Sequence, residues 1–277
     1  MRLRTRENVI EYLCPRIISV EHKHVYYGGD QSWLPRNTAA KGGCGPVCGA
    51  NILTVYADKN PQYQTLFDIN INEKHFVSQD EYLDLLQELY STMHIWEIPV
   101  LSNIYDRISR TNRLFRYLPS TLGIDICHFT QGVLRYAAKK EVYLKHRSLS
   151  TWFCGYTRGL TFIKLALTNG YPVVMLTTNS KFPFMLYDRP YLQNGVSKKM
   201  AHHFVTITDI KETPNDSNPE LVITTWGKTG VISYKDLYKS WHSIKAFGSG
   251  MVYFVPSKNL RTTKRSILRT YGILLKR

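Results

Sequence analysis

Cysteine is scarce in this chain of 277 residues. Cys14, Cys44, Cys48, Cys127 and Cys154 are odd in number and irregular in spacing, which argues against a disulfide framework and for a reducing compartment. Long apolar runs are missing too. No segment approaches the ~18 apolar residues that a membrane span needs. The start "MRLRTRENVIEYLCP" is basic but lacks the uninterrupted apolar stretch of a signal peptide. A cytoplasmic location is the expectation. No internal repeat or low-complexity tract is visible, and the chain reads as one domain, residues 1–277. Acidic residues are few, 21 Asp+Glu against 36 Lys+Arg, giving a net charge of +15. Such an excess favours acidic partners. Here it is spread along the whole chain and reads as solvated surface, apart from the C-terminal cluster "RTTKRSILRTYGILLKR".

What is present is enough apolar material for a core, 43% of residues, with 13% aromatic. "CGPVCGANILTVYAD" reads as a helix: Cys44, Val47, Ala50 and Leu53 share a face, as do Cys48, Ile52 and Val55. Pro46 falls in its first turn, where the missing N–H costs nothing. Residues 79–111 are helical by pattern, opened by a Ser78 cap with Glu81 three residues on. "DICHFTQGVLRYAAKK" is a further helical stretch. A helix over about 158–168 stops at Gly170 and leads into a buried strand, "PVVMLTT". Thereafter the character is β. "HHFVTITDI" alternates His203, Val205 and Ile207 with Phe204, Thr206 and Thr208. "LVITTWG" and "GMVYFVP" follow as strands, with "GVISYKDLYKSW" running from strand to helix. Helices followed by an antiparallel sheet predict the α+β class.

The stretch "KGGCGPVCGANIL" carries the chemistry. A redox pair is disfavoured, because Cys44 and Cys48 are four apart and no βαβ context precedes them. Half a zinc site would need two more ligands, and the adjacent His202 and His203 point to opposite faces of a strand. No metal and no cofactor are expected. A nucleophile at a helix start remains, with the macrodipole and free N–H groups lowering the pKa of the Cys44 thiol and its own N–H helping to hold an oxyanion. The plain alternative is that both thiols are small buried hydrophobes. A nucleophilic cysteine needs a base. Of the nine histidines, His202 and His203 stand out because they open a strong strand.

"GGCGPVCGANIL", a helix before "GYPVVMLTT", then "HHFVTIT" and "LVITTWGK", in that order, resemble the papain-like cysteine peptidases. The subgroup they resemble is the bacterial bacteriocin-leader (double-glycine) peptidase type. The resemblance covers roughly residues 37–57 and 158–256, which leaves 60–157 as a helical insertion or cap. It implies a papain-like fold in which an N-terminal helical part carrying the cysteine packs on a C-terminal antiparallel sheet carrying the histidine. It also implies a thiol peptidase acting on a peptide or protein through an acyl-thioester. Cys44 matches the family's nucleophile and His203 its general base, with His202 one residue away as the alternative. Thr224 stands where the family has the Asn or Asp that orients the imidazole, and a hydroxyl carries no charge to stabilise imidazolium. The family's oxyanion glutamine has no counterpart; Thr38 stands there, and Asn37 beside it offers an amide donor. Two other functions stay open: acyl transfer to an amine on the same scaffold, and an inactive domain that only binds.

Written as a helix, the basic tail lines up Ile267, Leu268, Tyr271, Leu274 and Leu275 as an apolar stripe. We expect the stripe to dock on the domain, with no membrane anchoring. No groove of aromatic and basic residues suited to reading bases is evident, so no nucleic-acid partner is expected. The sequence carries no signal of oligomeric state.

Overall fold

A computed structural model describes residues 13–19, 24–35, 42–66, 76–93, 96–97, 121–177, 183–187, 195–199, 202–212, 218–242 and 249–275. At its centre is helix α1, Cys44–Lys59, buried without a break from Cys44 to Ala57. A helix apolar all round has no solvent face to present and belongs inside. It packs against α2 (Gln79–Thr92) and α3 (Ile126–Lys139) on one side and a large sheet on the other. The start of α2 is the expected capping box: the Glu81 N–H donates to Ser78 Oγ at 3.3 Å, and the Ser78 N–H donates to Glu81 Oε2 at 3.2 Å. The helical pattern read over 79–111 ends at Thr92, and residues 98–111 lie outside the described part. Asp125 caps α3 by accepting from the N–H groups of Cys127 and His128.

The strands, in chain order, are β1 (Arg16–Ser19), β2 (His24–Tyr27), β3 (Phe76–Ser78), β4 (Trp96–Glu97), β5 (Thr121–Gly123), β6 (Leu144–Ser150), β7 (Val173–Thr177), β8 (Pro183–Tyr187), β9 (Val196–Lys199), β10 (His203–Lys211), β11 (Glu220–Thr225), β12 (Lys228–Ser233) and β13 (Gly250–Pro256). Eight of them form one antiparallel sheet in the order β6-β13-β7-β10-β11-β12-β8-β9. A small sheet, β2-β1-β3, and the pair β4-β5 complete the set. The protein is thus mixed α+β with a large antiparallel sheet. Residues 60–157 contribute α2 and α3, which line the core, and β6, an edge strand of the large sheet.

Both faces of the sheet are covered. The Phe129 ring of α3 lies 5.1 Å from Phe204 and 6.2 Å from Phe254, on the face that α1 occupies. On the opposite face, Phe162 of α4 (Tyr156–Thr168) packs 5.0 Å from Tyr253. Helix α5 (Tyr234–Trp241) joins α4 there, with the Tyr234 hydroxyl donating to the Tyr156 carbonyl at 2.7 Å. Their approach requires Gly159, since a methyl group there would lie 2.5 Å from the Tyr234 hydroxyl. Covering both faces makes β10 buried from His203 through Thr208, whereas a half-buried strand would bury every second residue.

The basic tail forms helix α6, Leu260–Leu275, which packs on α3 and β6. Its contact face differs from the expected stripe. Thr263 and Ser266 are buried and Ile267 is partly buried, while Leu268 is 66% exposed. The side chains of Tyr271, Leu274 and Leu275 lie outside the described residues. No helix among the described residues is long and apolar enough to cross a membrane.

Candidate active site

Cys44 is the first residue of α1, after Gly43, which has no side chain to cap the helix. The N–H groups of the first turn are therefore left for other partners. Those of Cys44, Gly45 and, across on β10, Phe204 all act on the sulfur. They lower the thiol pKa, as a helix start should, but burial acts more strongly and the net shift is upward. The expectation of a lowered pKa is thus reversed, because desolvation of a 9%-exposed thiolate outweighs the helix end. At neutral pH the resting group is the thiol.

The sulfur meets β10 at the residue next to His203. This imidazole is 7% exposed, and burial pushes its pKa down to about 4. Its Nε2 lies 2.6 Å from Thr225 Oγ1. One face of the ring stacks on Trp226, with centroids 4.5 Å apart and planes inclined by 24°. Phe184 backs Trp226 at 6.0 Å. His202 is exposed and left-handed at φ 48, so the strand turns its first ring, not the residue before it, into the protein.

Thr224 does not reach the imidazole. It pairs with Thr206 across the ladder and shares the α1 face, where its Oγ1 is buried without a partner. Side chains alternate along a strand, so Thr225 lies on the His203 side and makes the contact. Substituting each by valine separates the two. Thr225→Val is expected to lower turnover roughly tenfold, about the worth of one hydrogen bond to a group that becomes charged. Thr224→Val removes only an unpaired buried hydroxyl and should leave both activity and urea-unfolding midpoint unchanged or slightly improved. Activity assays and urea unfolding of the two variants provide the check.

The Trp226–Gly227 turn that presents the stacking ring is held from a distant part of the chain. Both residues have positive φ, 51 and 68, the signature of a two-residue hairpin turn joining β11 and β12. The Gly227 carbonyl accepts from the Tyr27 N–H at 2.9 Å, and the Gly227 N–H donates to the Gly29 carbonyl at 3.0 Å. Gly29 in turn donates its N–H to Asn51 Oδ1 on α1 at 3.0 Å, and the same oxygen accepts from the Tyr82 hydroxyl at 2.7 Å. Asn51, Gly29 and Thr225 were not among the residues expected from sequence. A polar Asn in the apolar run "GANILTV" and the glycine pair of "YYGGDQSW" are the signals that point to them. Two residues beyond Gly29, Gln31 has a buried amide oxygen with no partner. Asn37 and Thr38 lie outside the described residues.

None of the five cysteines forms a disulfide. Cys48, one turn into α1, is buried, and its thiol pKa is raised by burial although the Thr206 hydroxyl opposes the shift. No group of three or more His, Cys, Asp or Glu able to hold a metal occurs among the described residues. Comparison with protein-family models, curated proteins and solved structures finds no match to this chain.

Proposed function

We propose that this protein is a papain-like cysteine peptidase or amidase, with Cys44 as nucleophile and His203 as general base. One observation carries the reading. A helix-start thiol sits against the Phe204 amide, and the residue before Phe204 is a buried imidazole fixed by a hydroxyl on one nitrogen and an indole on one face. When Nε2–H donates to Thr225, the lone pair for accepting a proton is on Nδ1. Thiol and imidazole both rest neutral. His203 shares the Thr225 side of the sheet, while Cys44 and Phe204 lie on the α1 side. The reading therefore requires the imidazole to swing around the end of β10, where the proton passes from sulfur to Nδ1 as sulfur bonds to the carbonyl carbon. The carbonyl oxygen becomes an oxyanion that the Cys44 N–H can hold, with the Asn37 carboxamide as second donor. Collapse breaks the C–N bond, the imidazolium returns its proton to the departing amine, and a thioester remains on Cys44. Water, deprotonated by the same imidazole, then releases the acid. An amine in place of water would give transfer by the same steps.

A second reading, a binding domain without catalysis, draws on the same imidazole. With an uncharged partner and a pKa near 4, His203 is a weak base. A peptidyl vinyl sulfone, added near pH 7 and mapped by mass spectrometry, decides between the two. The catalytic reading requires an adduct on Cys44 that disappears in His203→Ala. Labelling confined to Cys127, the one cysteine not fully buried, or no adduct at all, would sink it.

A further inference from the structure

Three strands away from β10 across the sheet, roughly 14 Å at ordinary strand spacing, β6 and α6 flank a cleft of about 390 Å³ that opens to solvent, with Arg147, Arg265 and Arg269 exposed along it. Its lining includes four cationic residues, Lys145 and Arg147 from the strand and Arg265 and Arg269 from the helix, with Ser148 as a hydroxyl donor; the Thr262 hydroxyl donates to Asn259 Oδ1 at 3.0 Å. No acidic residue lines it, and none of the four cations has a carboxylate partner among the described residues. Two charges on an edge strand would be ordinary protection against strand pairing. That does not account for the two arginines one helical turn apart on the opposite wall, a spacing at which like charges repel.

The walls are tied together. The His146 N–H donates to Ser266 Oγ at 3.1 Å, and the His146 ring nitrogen Nδ1 meets the same oxygen at 2.7 Å. Burial, with the nearby charges of Arg269 and Arg147, pushes the pKa of this imidazole down to about 4. We propose that this cleft binds a phosphomonoester dianion. Its oxygens match the planar forks of Arg147, Arg265 and Arg269, with Lys145 as a point charge, and its own charge relieves their repulsion. The volume leaves room for a phosphate and a modest organic remainder, and among the described residues the one ring that lines it, His146, is engaged with Ser266, which sets it apart from a nucleic-acid groove. The site stands independently of the activity proposed for Cys44.

Inorganic phosphate and methyl phosphate are the probes, titrated into the whole chain at low salt and pH 7.5 and followed by calorimetry. One saturable site is expected for each, weakened roughly tenfold by Arg265→Gln, by Arg269→Gln and by Lys145→Gln, as for loss of one charge-assisted hydrogen bond. Arg158→Gln, an exposed cation on α4, is expected to change nothing. Phosphatidylcholine vesicles containing phosphatidic acid separate the sources. Binding that shares the variant pattern identifies a lipid headgroup, and absence of vesicle binding identifies a soluble ester. No saturation below roughly 10 mM phosphate, equal weakening by Arg158→Gln, or binding of single-stranded DNA without binding of phosphate would each overturn the proposal.

Discussion

Cys44→Ala removes amide cleavage while leaving the circular dichroism spectrum and melting temperature close to those of the parent. The thiol's role is chemical, and alanine fills the start of α1 with no conformational penalty. The expected loss is at least about a thousandfold in kcat/KM, because both the covalent route and its paired base disappear. His203→Ala should cost a similar factor, and the double variant little more than either single one, since the two groups act as one unit. Additive losses would mean that the residues work separately, and the pairing of α1 with β10 would then have no catalytic meaning. If His202→Ala is inactive and His203→Ala active, the exposed histidine is the base and the Thr225 contact is incidental. The acid limb of kcat/KM is a further mark of His203. An ordinary histidine gives a limb near pH 6.5, and this one should give it near 4, where its pKa lies.

Acid should weaken the fold through the same side chain. In the unfolded chain His203 takes up a proton near pH 6.5, whereas the folded protein resists protonation down to about pH 4. Between those values unfolding takes up a proton, so stability is complete above the upper pH and declines as pH falls toward the lower one. From pH 7.5 to pH 4.5 the loss attributable to this group is about 2.5 kcal/mol. Urea unfolding of the parent and of His203→Gln at both pH values measures it. The parent should lose about that much more than the variant. His146, whose pKa is also pushed down to about 4, contributes to both proteins and cancels in the difference. Identical losses would show that protonated His203 is accommodated without unfolding, through water reaching the ring.

How much of this could be read beforehand depended on how local the cause was. The start of α1 at Cys44, the Ser78–Glu81 box and the helix stop at Gly170 are set by residues within one turn, and they stand where the sequence put them. The strand from His203 was equally plain from its alternation. Thr224 and Thr225 differ by one step of a period-two pattern, and only the ladder pairing of Thr206 with Thr224 decides which faces the imidazole. The Gly29 clamp on the Trp226–Gly227 turn joins segments nearly two hundred residues apart, and the glycine pair at one end does not say which turn it meets at the other. The sign of the Cys44 shift escaped for a related reason. A helix end is visible in sequence, but the depth at which the rest of the chain buries it is not. In α6 the apolar stripe suggested docking, yet the buried face carries Thr263 and Ser266, because Ser266 finds a partner in His146.

The pairing of β13 with β6, Leu144 against Pro256 and Ser150 against Gly250, also sets the order in which the molecule can assemble. Helix α1 emerges early during synthesis, but the strand that carries His203 comes some 160 residues after Cys44, and the turn that buttresses it later still. The edge strand β6 must wait for β13 before its inner backbone groups are satisfied. A growing chain therefore holds α1 without the strand it packs on, and an exposed strand edge, until most of it has been made. Pairing at such separation is slow to form, so the chain's most vulnerable interval is the one before residues 250–256 close the sheet.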